Sequence, residues 1–327
     1  MQRPEPLSSC LRFPVTSGVA MVAIVATSGW RLGIADVEPF TINALAFSTQ
    51  FWRLITSIFF HVNVIHLLFN LCWLWIFGVL VERVFGRPKT LGIILLLAVG
   101  SNVAEYALFR GGVGLSGVGY GLFGLLWVLG RWDRRFWGVI DQPTVQLFVG
   151  WFFLCIVLTV ANLMPVANVA HGSGAVLGVL LGWAIAARSM RQRLPRAGLL
   201  AGCLALIVVG GTVARPYVNL AGAAGEDLAD QADLVLGQGN PHRAIELYHR
   251  AIAANDRKPR WWHNLGVAYV RIDRFEEARQ AYQRAAELAP YDTTYRDALQ
   301  SINNYFRAVE DSRLKSGAVS TEEAANH

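Results

Sequence analysis

Seven stretches of this chain read as membrane spans, and that succession limits the fold more than any other feature. About 20 apolar residues cover the roughly 30 Å of hydrocarbon in a bilayer. Only a backbone that satisfies its own hydrogen bonds can stay there, so each stretch predicts an α-helix. The first runs from Pro14 to Trp30, and the others fall near 62–82, 90–109, 116–130, 144–163, 170–187 and 197–214. The first could be mistaken for a cleaved targeting segment, but so many spans behind it favour a retained helix. A chain 54% hydrophobic and only 16% charged is too apolar for an ordinary soluble protein, and 327 residues leave room for a second domain.

The net charge of +6 is unevenly placed. Residues 1–215 carry 16 Lys/Arg against 7 Asp/Glu, and 216–327 carry 13 against 16. The excess lies between apolar runs, which makes it a topology signal and argues against a nucleic-acid partner. With the amino terminus inside, the inner segments hold 12 basic residues (Arg3, Arg12, Arg83, Arg87, Lys89, Arg131, Arg134, Arg135, Arg188, Arg191, Arg193, Arg196) and the outer side 4 (Arg31, Arg53, Arg110, Arg215). That bias predicts a cytoplasmic amino terminus, and an odd number of spans then sends everything after Arg215 to the other face. Cys10, Cys72, Cys155 and Cys203 have no metal-like spacing and read as small residues, not disulfides or ligands.

After a small-residue linker, Ala221-Gly222-Ala223-Ala224-Gly225, the sequence becomes soluble and amphipathic. Trp262, Leu265, Gly266, Tyr269, Ala278, Tyr282, Ala285 and Pro290 follow the tetratricopeptide (TPR) pattern, and Ala244, Tyr248 and Ala251 repeat its second half 34 residues earlier. Small alanines let the two helices of a repeat approach, and the aromatics fill the gap between them. Two repeats are fewer than usually make a stable stack, so Leu299, Ile302, Tyr305 and Phe306 are expected to supply a capping helix.

The polar residues of the apolar half gather at helix starts. His66 and Asn70, four apart, share one helix face and can both donate hydrogen bonds. Gly114-Leu115-Ser116-Gly117 opens the fourth span and Ala170-His171 the sixth, all predicted at the outer end. A glycine-flanked serine can expose its hydroxyl beside converging backbone amides, as a nucleophile with an oxyanion hole requires. The plainer reading is close packing, for which serine and glycine are common in membrane helices. The two readings support each other. Gly117, Gly121 and Gly124 on the fourth span, and Gly174, Gly178 and Gly182 on the sixth, would let the backbones meet and bring Ser116 within reach of His171, with Tyr120 against the imidazole. A metal held by His61, His66 and His171 is disfavoured, because five-residue spacing puts His61 off the face of His66 and no carboxylate was evident nearby.

The set Trp52-Arg53, His61, His66, Asn70, Glu82, Gly114-Leu115-Ser116-Gly117, Tyr120, Gly124, His171, Gly174 and Gly178 resembles the rhomboid family of intramembrane serine proteases, over about 50–190. The resemblance implies a Ser116–His171 dyad without a third carboxylate and with Tyr120 stacked on the imidazole. It also implies an oxyanion hole of the Ser116 amide with the His66 and Asn70 side chains, and His61 in support of the loop. Phe148, Trp151 and Phe152 would form part of a lateral gate, although lipid-facing aromatics are the plainer reading. An acidic residue often precedes the Trp-Arg pair by two positions. Gln50 stands there, which predicts a weakened loop salt bridge to Arg53.

The expected molecule is therefore an all-α polytopic membrane bundle with a soluble helical appendage. Its parts are an amino-terminal segment (1–13), a protease core (14–190), a seventh span with a basic linker (191–215), a linker (216–225), a TPR-like domain (226–310) and a disordered tail (311–327). It would be a multi-pass protein of a bacterial inner membrane that cleaves transmembrane segments of other proteins, needs no metal or organic cofactor, and carries a TPR domain that binds a peptide or protein. The competing readings are a catalytically inactive client-binding relative and a transporter or metal-handling protein. A transporter would show a paired internal repeat and polar residues near mid-membrane, and neither is evident.

Overall fold

The computed structural model describes residues 5–325, the side chains of 311–325 excepted. The chain divides into two compact units between Ala221 and Gly222. Among the described residues every regular element is helical.

The first unit has a helix at each of the seven expected stretches: α1 (Pro14–Arg31), α2 (Val64–Phe85), α3 (Arg87–Leu108), α4 (Ser116–Trp132), α5 (Gln142–Val160), α6 (Asn168–Ile185) and α7 (Met190–Gly211). All but α1 and α4 are long and apolar enough to cross a bilayer by themselves. With 17 residues, α4 is short because it starts inside the protein, below the loop that precedes it. The chain is accordingly a multi-pass membrane protein.

Local chemistry sets the helix starts. Asn63 caps α2 by accepting the His66 backbone N–H at 2.8 Å. Asp141 caps α5 through the Thr144 N–H at 3.0 Å. Pro14 opens α1, whose next two amides are satisfied from another helix: Val15 and Thr16 donate to the Glu82 carboxylate at 3.0 and 2.8 Å. Glu82 is thus a buried structural cap that ties α2 to α1. A π-helical stretch, Leu74–Gly78, lies inside α2. Gly78 there faces Thr16, which an added Cβ would approach to 3.0 Å.

Helices α4 and α6 touch backbone to backbone. A Cβ on Gly174 would overlap the Gly117 carbonyl oxygen, and one on Gly178 the Gly121 carbonyl. At Gly124 it would collide with the Ala175 carbonyl, and at Gly182 it would lie 2.9 Å from the Leu125 oxygen. The ladder of α6, with Gly124 of α4, therefore faces the partner backbone, while Gly117 and Gly121 turn their open sides to Ser101 and Leu97 of α3. Around this pair, α3 is mostly buried, whereas only 17% of the apolar window of α5 is.

The second unit pairs α8 (Ala224–Gly237) with α9 (Pro241–Ala254) and α10 (Pro259–Val270) with α11 (Phe275–Leu288), followed by α12 (Thr293–Ala325). Gly266 admits the Tyr282 ring, which an added Cβ would approach to 2.6 Å. Leu265, Tyr269, Ala278 and Ala285 are buried with it, and Pro290 lies just past the end of α11. Ala244, Tyr248 and Ala251 occupy the equivalent buried positions on α9. Tyr248 donates to Asp233, a carboxylate that also accepts from Asn264 (2.8 Å) and Arg260 (3.2 Å). Burial and the neighbouring Asp233 charge raise the Tyr248 phenol above its ordinary range.

Trp262 is half-buried, packs against this core and donates to the Asp256 carbonyl at 2.8 Å, while its neighbour Trp261 is buried against Gly225. Two expectations need correction here. The linker 216–225 is partly ordered, by a short helix at Arg215–Val218 and the start of α8. The tail expected to be disordered from 311 is helical as far as Ala325, because a stretch can be too polar to pack and still favour the helical backbone. Residues 326–327 of that tail, and 1–4 of the amino-terminal segment, lie outside the described residues.

If the ladder contact holds the bundle, Gly178→Val should lower the thermal unfolding midpoint in detergent strongly, by at least the ~1–3 kcal/mol typical of overpacking. Gly119→Ala, at a site with nothing within 4 Å, should leave the midpoint unchanged.

Candidate active site

The loop before α4 is shaped by two glycines with positive φ, Gly111 at 91° and Gly114 at 117°. Gly114 is doubly required, since an added Cβ would also lie 2.7 Å from the His66 ring. Its N–H donates to the Ser57 carbonyl at 3.2 Å, and the Leu115 N–H donates to His61 Nε2 at 3.2 Å. Ser116 follows as the first residue of α4, half-buried, and no side chain caps that helix start. With the Leu115 amide engaged, the Ser116 amide is the next donor at a helix end whose first amides have no partner within the helix.

His61 is fully buried. Its Nδ1 lies 3.2 Å from Thr27 Oγ1, and that hydroxyl donates to the Phe59 carbonyl at 3.0 Å. Since Nε2 accepts from Leu115, Nδ1 must carry the proton. Burial, with the nearby His66 adding to it and the Phe59 backbone opposing it, pushes the imidazole down to about 3. Both nitrogens are therefore engaged, Nε2 by the loop before α4 and Nδ1 by Thr27 of α1. Among the described residues no group of three or more His, Cys, Asp and Glu is placed to hold a metal ion.

The His66 ring stands 4.9 Å from that of His61, edge to face. Its Nδ1 is buried without a partner. One turn on, the buried Asn70 donates one amide hydrogen to the His66 carbonyl at 2.8 Å, which leaves its second for another acceptor. Across the site, the buried His171 stacks on Tyr120 with ring centres 4.7 Å apart and planes 21° from parallel. Tyr120 is held in turn by a hydroxyl bond to the Phe148 carbonyl at 3.0 Å. An added Cβ on Gly117 would sit 3.3 Å from the Ala170 carbonyl, so the first turns of α4 and α6, with Ser116 and His171, adjoin. His171 Nδ1 is likewise buried without a partner.

The supporting residues fall in the loop between α1 and α2. Arg53 is buried and donates to the carbonyls of Glu38 (2.5 Å) and Thr41 (2.9 Å), and to Gln50. Glu38 also offers its carboxylate at 3.4 Å, so the ion pair expected to be weakened by Gln50 is supplied from 15 residues upstream. Trp52 stays partly exposed and bonds the Pro39 carbonyl at 3.1 Å. Phe148 is not lipid-facing: it stacks on Phe123 (4.5 Å) and meets Trp73 (4.9 Å) edge to face. Trp151 lies against Phe69 of α2 at 5.5 Å, and Phe152 is near Tyr120 at 6.2 Å.

One residue escaped the sequence reading. Glu105 is buried near the end of α3, and Oε2 accepts the Ala170 N–H at 2.9 Å, directly before His171. Its signal was a carboxylate inside an apolar run, where an uncompensated charge is costly.

Comparison with known proteins divides the chain in the same two parts. Residues 48–188 match the rhomboid domain model, and 229–293 match a tetratricopeptide repeat model. The chain is 33% identical over 139 residues to the rhomboid protease GlpG of Yersinia pestis (strain Pestoides F), which covers 40% of this chain and 47% of that protein. To the protein of the same name from Enterobacter sp. (strain 638) it is 34% identical over 140 residues, 41% of this chain and 48% of that one. The chain thus spans about half the length of the curated relatives it matches.

A histidine held neutral in the fold takes up its proton first in the unfolded chain, which binds it near the ordinary ~6.5. The stability that His61 contributes is therefore full above that value and is lost as the pH falls toward about 3. The unfolding midpoint of wild type should drop more steeply between pH 6.5 and 4 than that of His61→Gln. Parallel curves would show that this titration is not felt.

Proposed function

We propose that the rhomboid domain of this chain is a serine endopeptidase that cuts transmembrane segments of other membrane proteins through an acyl-enzyme. The observation that carries this reading is the Tyr120–His171 stack at the glycine contact of α4 and α6. In the proposed mechanism His171 takes the Ser116 proton as the hydroxyl attacks the scissile carbonyl, then returns it to the leaving amine. The Ser116 amide, His66 and the second hydrogen of Asn70 receive the oxyanion. A third carboxylate is dispensable when the imidazole is gripped from its face and its surroundings are dry. Water then releases the acyl group from the polar end of the bundle.

A helical substrate hides its peptide bonds, so cleavage favours segments with small or helix-breaking residues that unwind at the site. Entry between α2 and α5 fits the sparse packing of α5, whose contact with α2 is made by aromatic rings such as Trp151 on Phe69 and Phe148 on Trp73. The charge bias of the loops supports a cytoplasmic amino terminus, with the active site and the TPR unit on the extracytoplasmic side of an inner membrane. There the TPR unit would bind a peptide or protein segment and recruit substrates or an adaptor.

Wild type should cleave members of a panel of transmembrane substrates and be labelled by a fluorophosphonate at Ser116. Ser116→Ala and His171→Ala should each lose at least about 10³-fold in cleavage. A folded wild type that is neither labelled nor active would leave a client-binding protein in place of the protease. An epitope at the carboxyl terminus should be reached by antibody in spheroplasts without permeabilisation. Access only after permeabilisation would refute the orientation.

A further inference from the structure

The imidazole of His171 has Tyr120 on its face but no hydrogen-bonding partner at the buried Nδ1. In a dyad of this kind the ring inherits its position from its backbone, and so from whatever fixes the first turn of α6. That helix has no cap of its own, because Ala167 precedes it and offers no side-chain acceptor. The amides of that turn would be stranded in a membrane interior. Glu105 of α3 takes one of them, the Ala170 N–H at 2.9 Å. A carboxylate suits this place, with two acceptor oxygens and a negative charge against the positive end of a helix.

The turn of α3 that carries Glu105 is itself gripped from beyond α7. Arg215 is buried with its guanidinium 3.3 Å over the Tyr106 ring centre, and it donates to the Phe109 carbonyl at 2.9 Å. Asn219 donates to the Phe109 and Ala107 carbonyls at 2.8 and 3.3 Å, and the Leu220 N–H to the Leu108 carbonyl at 2.7 Å. These are the last carbonyls of α3, which have no partner within the helix. Just upstream, Gly211 lets the end of α7 close on Val103, which an added Cβ would approach to 2.6 Å. These contacts thus act on one stretch, residues 103–109, which holds Glu105.

We infer that Glu105 is a positioning residue for His171, and that residues 211–220 form a clamp that holds Glu105 in register. The seventh helix and its return segment then belong to the working site and are not merely an anchor for the TPR unit. This inference rests on the protease reading, and the test separates the two.

The full chain in detergent is labelled by a fluorophosphonate at Ser116, with kinact and KI resolved and the unfolding midpoint measured in parallel. Glu105→Ala should lower kinact roughly 10–100-fold, the scale of a misplacement near 1 Å, with KI unchanged. Glu105→Gln keeps one acceptor oxygen and should recover most of that loss, a rescue that a purely electrostatic role would not give. The double variant Arg215→Ala/Asn219→Ala should lower the same parameter less. Added to Glu105→Ala it should cost little more, because both act through one contact. The inference is overturned if folded Glu105→Ala is labelled at the wild-type rate, if Glu105→Gln is no better than Glu105→Ala, or if the clamp and Glu105 losses multiply. A folded wild type that takes no label at Ser116 defeats the protease reading and this inference with it. A labelled wild type with indifferent Glu105 variants defeats this inference alone.

Discussion

Backbone contact between α4 and α6 is the constraint on which the membrane unit depends. Lipid offers no hydrophobic reward for bringing two apolar helices together, so close association needs dispersion contact over a matched surface. Gly174, Gly178 and Gly182 of α6, with Gly124 of α4, supply it. With Gly174 against Gly117 and Gly178 against Gly121, the two helices can neither slide nor separate without giving up that fit. Their relative height is therefore fixed, and with it the level of Ser116 and His171, which sit at the first turn of each. Tyr120, a turn below Ser116, is carried against the imidazole by the same contact. What holds the bundle together also sets out the chemistry.

A second pattern concerns the buried polar groups. Most are satisfied by a neighbour distant in sequence: Glu82 on the start of α1, Asn102 on Ser57, His61 on Leu115, Glu105 on the start of α6. Each such link ties one helix or loop to another where an unmet donor would be costly. Among the described residues, the buried side-chain atoms left without a partner are His66 Nδ1, His171 Nδ1 and Asn168 Oδ1. Two belong to proposed catalytic side chains, and the third begins the helix that carries His171. Unmet polar capacity gathered at one place is what a site awaiting a reacting group should show.

The sequence was informative where a regularity runs along one segment. The spans other than α1 and α4 followed from apolar length, the pair Gly117 and Gly121 and the ladder Gly174, Gly178 and Gly182 from four-residue spacing, and the repeat unit from aromatic and alanine positions 34 apart. It failed where one residue's role depends on a partner from another helix. Gln50 suggested a loosened Arg53, but Glu38 and two carbonyls hold that guanidinium, and no spacing announces them. Phe148 looked like one more lipid-facing ring on an apolar helix, yet its carbonyl and its face both serve Tyr120 and Phe123. Glu105 is a lone carboxylate inside an apolar run, and no spacing in the sequence names its partner. Only the fold reveals that it reaches the helix start beside His171.

A division of labour follows from how unevenly the spans are packed. The helices bearing the proposed dyad and its supports are pinned by backbone contact and by buried carboxylates, whereas α5 meets its neighbours chiefly through rings. Aromatic contacts can re-form after a sideways displacement, because a ring face tolerates many arrangements of similar energy. Backbone-to-carbonyl contacts cannot, since any separation opens a void on both helices. Among the helices that border the proposed site, displacement is therefore cheaper at α5 than at α4 and α6. The proposed protease would have to open toward lipid without disturbing Ser116 and His171, and the ordering of stiffness that this needs arises from where glycine and where aromatic residues were placed along the chain.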